Sequence, residues 1–84
     1  MPTLNQNAPA ASWLKVADGL SNVLITTRSS QAVRVHVGTA DPASDAAFHM
    51  CSYDRPFSMS GVDSQKVYIR ANGSSDVPVT VTAA

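Results

Sequence analysis

The sequence predicts an all-β domain, and three observations carry that prediction. Apolar and polar residues alternate one by one in Val33-Arg34-Val35-His36-Val37, Val67-Tyr68-Ile69-Arg70 and Val77-Pro78-Val79-Thr80-Val81. This is the period of two that a half-buried strand needs, because successive side chains point to opposite faces of a sheet. The dipeptides Asp18-Gly19 and Asn72-Gly73 interrupt the alternation with residues that readily take the positive φ of a tight turn. The composition agrees: there are ten valines, two lysines and no glutamate, which favours pleated structure over helices. Six or seven short, mostly antiparallel strands, spaced roughly 8 to 12 residues apart, fit a small β-sandwich or barrel.

Residues Met1 to Ala11 contain two prolines, no charge and one large apolar residue apart from Met1, Leu4. Proline restricts its own φ and drives its predecessor toward extended backbone, so residues 1–11 read as an extended N-terminal arm and residues 12–84 as one sandwich domain. The first strand is expected from Ser12 to Ala17, with Asp18-Gly19 as a hairpin turn into a second strand from Asn22 to Arg28. Ser29-Ser30-Gln31 ends that pattern, and Val33, Val35 and Val37 make a third strand that Gly38 closes. Thr39 to Ala47 replaces alternation with serine, proline and aspartate, which marks the longest loop, with room for a single helical turn.

In the fourth strand Phe48, Met50 and Ser52 share one face, and His49 and Cys51 share the other. Tyr53 to Arg55 is a turn. Phe57 and Met59 form a fifth strand whose preceding Pro56, lacking an N–H, favours an edge position. Gly61 to Ser64 turns the chain into a sixth strand, Gln65 to Ala71. Asn72-Gly73 is the strongest hairpin signal in the sequence and is expected to join it to the last strand, Val77 to Thr82.

A chain of 84 residues buries only about 60 to 65% of its unfolded surface. Twelve residues are alanine, so the core rests on valine and a few large side chains. Domains with so thin a core are usually reinforced by disulfides, metals or partner subunits. Cys51 is the single cysteine and no zinc-type ligand spacing is present, which leaves association with other subunits. Six basic residues balance six aspartates. Zero net charge offers no general attraction to phosphate backbones, so nucleic acid is not an expected partner. No apolar run approaches the roughly 20 residues that span a bilayer, and no basic stretch followed by an apolar block marks a secretory signal, so neither a membrane nor export is expected.

Site chemistry is sparse. His49 and Cys51 lie two apart on one strand, but a structural zinc site needs four ligands and His36 is the only other histidine. A Cys51 nucleophile would need a histidine base within hydrogen-bond reach, and a lone cysteine more often packs as a small buried hydrophobe. Asp41 and Asp45, with Asp54 or Asp63, lack the EF-hand calcium pattern and read as loop solvation. Trp13 beside Leu14 reads as a core or core-edge residue. Arg34, His36 and Arg70 on polar strand faces form a positive stripe suited to solvent or a neighbouring subunit. No catalytic residue, metal or cofactor is expected.

The segments Trp13-Leu14-Lys15-Val16-Ala17-Asp18-Gly19, Val33-Arg34-Val35-His36-Val37-Gly38-Thr39-Ala40-Asp41-Pro42 and Val67-Tyr68-Ile69-Arg70-Ala71 resemble small all-β structural proteins of tailed-bacteriophage virions. The resemblance spans most of Ser12 to Thr82. It implies a non-enzymatic building block, a capsid decoration or accessory subunit made in the host cytoplasm and carried on the virion. Its partners would be the major capsid protein, other virion proteins or further copies of itself. The expected interface is the N-terminal arm with Leu4, Asn5 and Gln6, together with Trp13, acting as a latch across a neighbouring subunit. Deleting residues 1–11 is then expected to abolish particle binding and leave the domain folded. The alternative is a tail- or fibre-associated module that binds carbohydrate or adheres to a host.

Overall fold

In the computed structural model, residues 3–19, 22–43, 46–60 and 65–83 are described. They form eight strands: β1 (Thr3–Ala8), β2 (Leu14–Asp18), β3 (Asn22–Thr27), β4 (Val33–Gly38), β5 (His49–Cys51), β6 (Phe57–Ser60), β7 (Lys66–Ala71) and β8 (Val77–Ala83). The described residues contain no helix. Sheet A has the order β1-β8-β3-β6 and sheet B the order β2-β7-β4-β5, with every pairing antiparallel. Two separate four-stranded sheets make a sandwich rather than a barrel, and their order is that of an eight-stranded jelly roll.

The core is what the alternation predicts. From sheet A it takes Val23, Ile25, Val77, Val79 and Val81, and from sheet B Val33, Val35, Val67, Ile69 and Cys51, all essentially without solvent exposure. The alternate positions point outward. On β3, for example, Val23, Ile25 and Thr27 are buried while Leu24 is exposed. Thr27, the polar member of that row, donates its hydroxyl to the Ser29 carbonyl at 3.2 Å, which satisfies it below the surface. Pro56 precedes β6, and β6 lies at a sheet edge as expected.

Three expectations are corrected. The N-terminal segment is extended, but it is a strand of the sandwich rather than an arm outside it. Thr3–Ala8 pairs with β8 over six positions, from Thr3 opposite Thr82 to Ala8 opposite Val77, which raises the strand count to eight. Its sequence hides this because only Leu4 and Ala8 mark an apolar face, and the pairing is supplied by the open flank of β8. Pro9, without an N–H, ends the ladder.

The two glycine turns are not hairpins. β2 and β3 lie in different sheets, as do β7 and β8, so Asp18-Gly19 and Asn72-Gly73 carry the chain across the sandwich. Gly19 does take the positive φ, 72°, that its sequence signature predicts. A turn dipeptide sets local dihedrals, and the partner strand is chosen by packing. Only β4 and β5 are both consecutive and paired, and they are joined by the long loop rather than by a tight turn. Finally, the first strand starts at Leu14, leaving Ser12 and Trp13 outside it. The expected turn at Gly61 to Ser64, and Asp45 and Asp63, lie outside the described residues.

Candidate functional site

The two outer faces of the sandwich differ in chemistry. The strands of sheet A, reading TLNQNA, NVLITT, FSMS and VPVTVTA, contain no charged side chain. Their register places Thr3, Thr82, Leu24 and Ser58 in one outward row and Asn5, Thr80 and Thr26 in the next. Thr3 and Thr82 share a hydroxyl hydrogen bond of 2.7 Å, and Thr80 donates to Asn5 Oδ1 at 3.0 Å. The result is a cross-linked, neutral lattice of threonine, serine and asparagine with Leu24 exposed within it.

Sheet B carries the cations. Arg70 and Arg34 are directly opposite each other on β7 and β4, with Met50 of β5 beyond, and Lys15, Tyr68 and His36 form the adjacent row. Arg34, His36 and Arg70, the residues of the expected stripe, therefore do lie on one face. Each guanidinium is oriented: Arg34 donates through Nε to Asn72 Oδ1 at 3.0 Å and stacks 4.7 Å from the centre of the Phe48 ring, while Arg70 donates through Nε to the Ala10 carbonyl at 3.2 Å.

The described part of the loop after β4 folds back over this face and is tied down at three points. Tyr68 donates its phenol to Asp41 Oδ1 at 2.7 Å, the Trp13 indole N–H donates to the Ala43 carbonyl at 3.0 Å, and His36 Nδ1 donates to the Ala47 carbonyl at 2.7 Å. A carbonyl only accepts, so His36 holds its proton on Nδ1. Trp13 packs against His36 at a 5.8 Å centroid separation, and His36 against Tyr68 at 6.2 Å. Gly38 makes room for this: a Cβ there would lie 2.9 Å from His36 Nε2. Tyr68 faces outward yet is only 3% exposed, because the loop covers it. Its hydrogen bond to the Asp41 carboxylate, followed by desolvation, pushes its pKa up to about 12.

Between loop and sheet lies a cleft of about 530 Å³ bordered by Ser12, Trp13, Lys15, Asp41, Tyr68 and Arg70. Lys15 also pairs with Asp18 at 3.0 Å, and that hydrogen bond lowers the Asp18 pKa. A second depression, of about 340 Å³ beside Gln31 and Asn72, has neither an aromatic nor a charged wall.

The expected interface residues do not share one face. Leu4, 52% exposed, and half-buried Gln6 sit on the inward side of edge strand β1, opposite Val81 and Val79, while Asn5 points outward into the threonine lattice. Trp13 belongs to the cleft on the other sheet rather than to the core. Sequence reading identified the basic stripe but missed the cleft, since Trp13, Asp41 and Tyr68 are brought together only by the fold of the loop.

The remaining candidates separate as well. Cys51 is fully buried, donates weakly to the Ile25 carbonyl at 3.4 Å, and has its thiol pKa raised by burial, which disfavours the reactive thiolate. His49 is exposed and packs near Phe57. Among the described residues no three His, Cys, Asp or Glu side chains gather closely enough to hold a metal ion. No protein-family model, curated protein or solved structure matches this chain.

Proposed function

We propose that the chain is a non-enzymatic structural subunit of a bacteriophage virion, a decoration or accessory protein held in many copies, and that it docks through the outward face of sheet A. The observation that carries the reading is the absence of any charge from all four strands of that sheet. A surface that stays in water has no reason to exclude charge, whereas a surface that will be covered has a strong one. Burying an unmatched ion costs several kcal/mol on the order given by desolvation, and interface centres are accordingly depleted in charge. Hydroxyl and amide groups already bonded to one another, as in Thr3 with Thr82 and Thr80 with Asn5, lose less on being covered.

Size and edges fit the same reading. The molecule measures 31 × 26 × 17 Å, so a broad face is comparable with the roughly 800 Å² each partner contributes to a standard interface. Each contact need not be strong, because a lattice of identical sites supplies avidity. The jelly-roll order supports the proposal by analogy, as this architecture recurs in viral coat domains among others.

The test is co-sedimentation of the purified chain with capsid and tail particles of a tailed phage, comparing the native protein with Thr26→Lys and Leu24→Lys. Both positions face outward on β3, so the fold should survive and binding at fixed stoichiometry should be lost. Full occupancy by both charged variants would overturn the proposal.

A further inference from the structure

Sheet A ends at β1 on one side and β6 on the other, and sheet B at β2 and β5, so among the described residues the sandwich has four strand edges. An open edge invites another strand, and stable monomers blunt it with shortness, proline, charge or a bulge. Three of these edges are blunted. β5 has three residues, β6 has four and follows Pro56, and β2 carries Lys15, Asp18 and a register break between Lys15 and Ala17. β1 has none of these devices: its six residues, TLNQNA, are uncharged and hold an unbroken register against β8. We propose that β1 pairs with β1 of a second copy, antiparallel about a two-fold axis at Asn5, which joins two four-stranded sheets into one continuous sheet. The inference goes beyond the virion reading and does not rest on it.

The backbone sets the register. Alternate residues of an antiparallel strand direct their N–H and C=O groups to opposite neighbours. The Arg28 N–H donates to the Pro78 carbonyl at 2.9 Å, so Pro78 addresses the β3 side of β8, and Val77, Val79 and Val81 address β1. Their partners there are Ala8, Gln6 and Leu4, which leaves the N–H and C=O groups of Thr3, Asn5 and Asn7 turned to the open flank. With Asn5 opposite its own copy, Thr3 falls opposite Asn7 and Asn7 opposite Thr3. All three residues of each copy then meet bonding partners, whereas sliding the strands by two residues either way leaves one residue of each unmatched.

The side chains accept this arrangement. An uncharged β1 brings no like charges together across the axis. Leu4 lies on the inward side yet is 52% exposed, and the pairing sets it opposite Gln6 of the second copy, whose methylene groups cover it. The contact is small. Six residues span about 20 Å, and the molecule is 17 Å in its thinnest direction, so each copy contributes at most about 350 Å², against roughly 800 Å² in a standard interface. The dimer is therefore a weak one, with a Kd on the order of 100 μM.

Sedimentation velocity of the intact chain, free of any particle, from about 10 μM to about 1 mM should show monomer passing to dimer. Asn5→Asp and Asn5→Lys each set two like charges opposite each other on the axis, with Cα atoms about 5.5 Å apart, and each alone should weaken the dimer about tenfold at low salt. Mixed in equal amounts, the two variants place opposite charges there, and the heterodimer should regain the native affinity or exceed it. Asn5 is exposed and its backbone faces away from β8, and Asn5→Asp keeps an oxygen to accept the Thr80 hydroxyl, so the fold should survive, which circular dichroism checks. A native chain still monomeric at about 1 mM, single variants as associated as the native chain, or a mixture no tighter than its components would each overturn the proposal. Because no particle takes part, failure here leaves docking through sheet A untouched, and failure of particle binding leaves the dimer untouched.

Discussion

Leu24 and Ile25 are adjacent on β3 yet should respond very differently to truncation. Ile25 has no solvent exposure and lies in register between Val81 of β8 and Phe57 of β6, at the middle of sheet A. Ile25→Ala removes three carbons, worth about 0.8 kcal/mol each in transfer, or about 2.5 kcal/mol. The space left behind in a close-packed core raises the loss to about 3 to 4 kcal/mol. Leu24 is 44% exposed and solvent fills the space its side chain vacates, so Leu24→Ala should cost about 1 kcal/mol or less. A domain of 84 residues has a total stability of about 4 to 12 kcal/mol, so the first variant approaches the unfolding threshold and the second does not. Urea unfolding measures both, and the denaturant slope should be unchanged while the midpoint moves. Equal losses, or a larger one for Leu24, would mean that β3 is shifted by one residue and its faces exchanged. That result would refute the core assignment and the neutral docking face together.

Two further outcomes follow from the site and the edge. Tyr68 keeps its proton in the folded state up to about pH 12 but loses it near 10.0 when unfolded, so its contribution to stability is intact below pH 10 and lost as pH rises from 10 to 12. Asp41→Asn should lower the Tyr68 pKa, followed by NMR of the ring carbon bearing the hydroxyl, and flatten the stability profile in that window; an unchanged pKa would refute the assigned hydrogen bond. Deleting residues 1–8 strips β8 of six paired positions and removes buried Ala8. At about 1 kcal/mol net per ladder bond the loss is comparable with the whole stability, so the truncated chain should unfold in thermal melts rather than remain folded and merely fail to bind. A native-like melting temperature would restore the arm reading for this segment.

What the sequence determined by itself was the local pleat: that the chain is built of strands, which residues of β3, β4, β7 and β8 face inward, that Cys51 packs as a hydrophobe, and that β6 lies at an edge. These are properties of adjacent residues, since alternation follows from the twofold repeat of extended backbone and proline's missing N–H acts where it stands. Only the tertiary structure decided which strands pair. Glycine turns that signal hairpins lead from sheet to sheet instead, because their dihedrals govern a few bonds while partner choice is governed by burying two apolar faces against each other. The same holds for β1, whose weak pattern becomes a strand only against the flank of β8, and for the cleft. Residues 13 and 15, residue 41, and residues 68 and 70 come from three distant stretches of the chain, and they meet because β2 and β7 are neighbours and the loop after β4 closes over them.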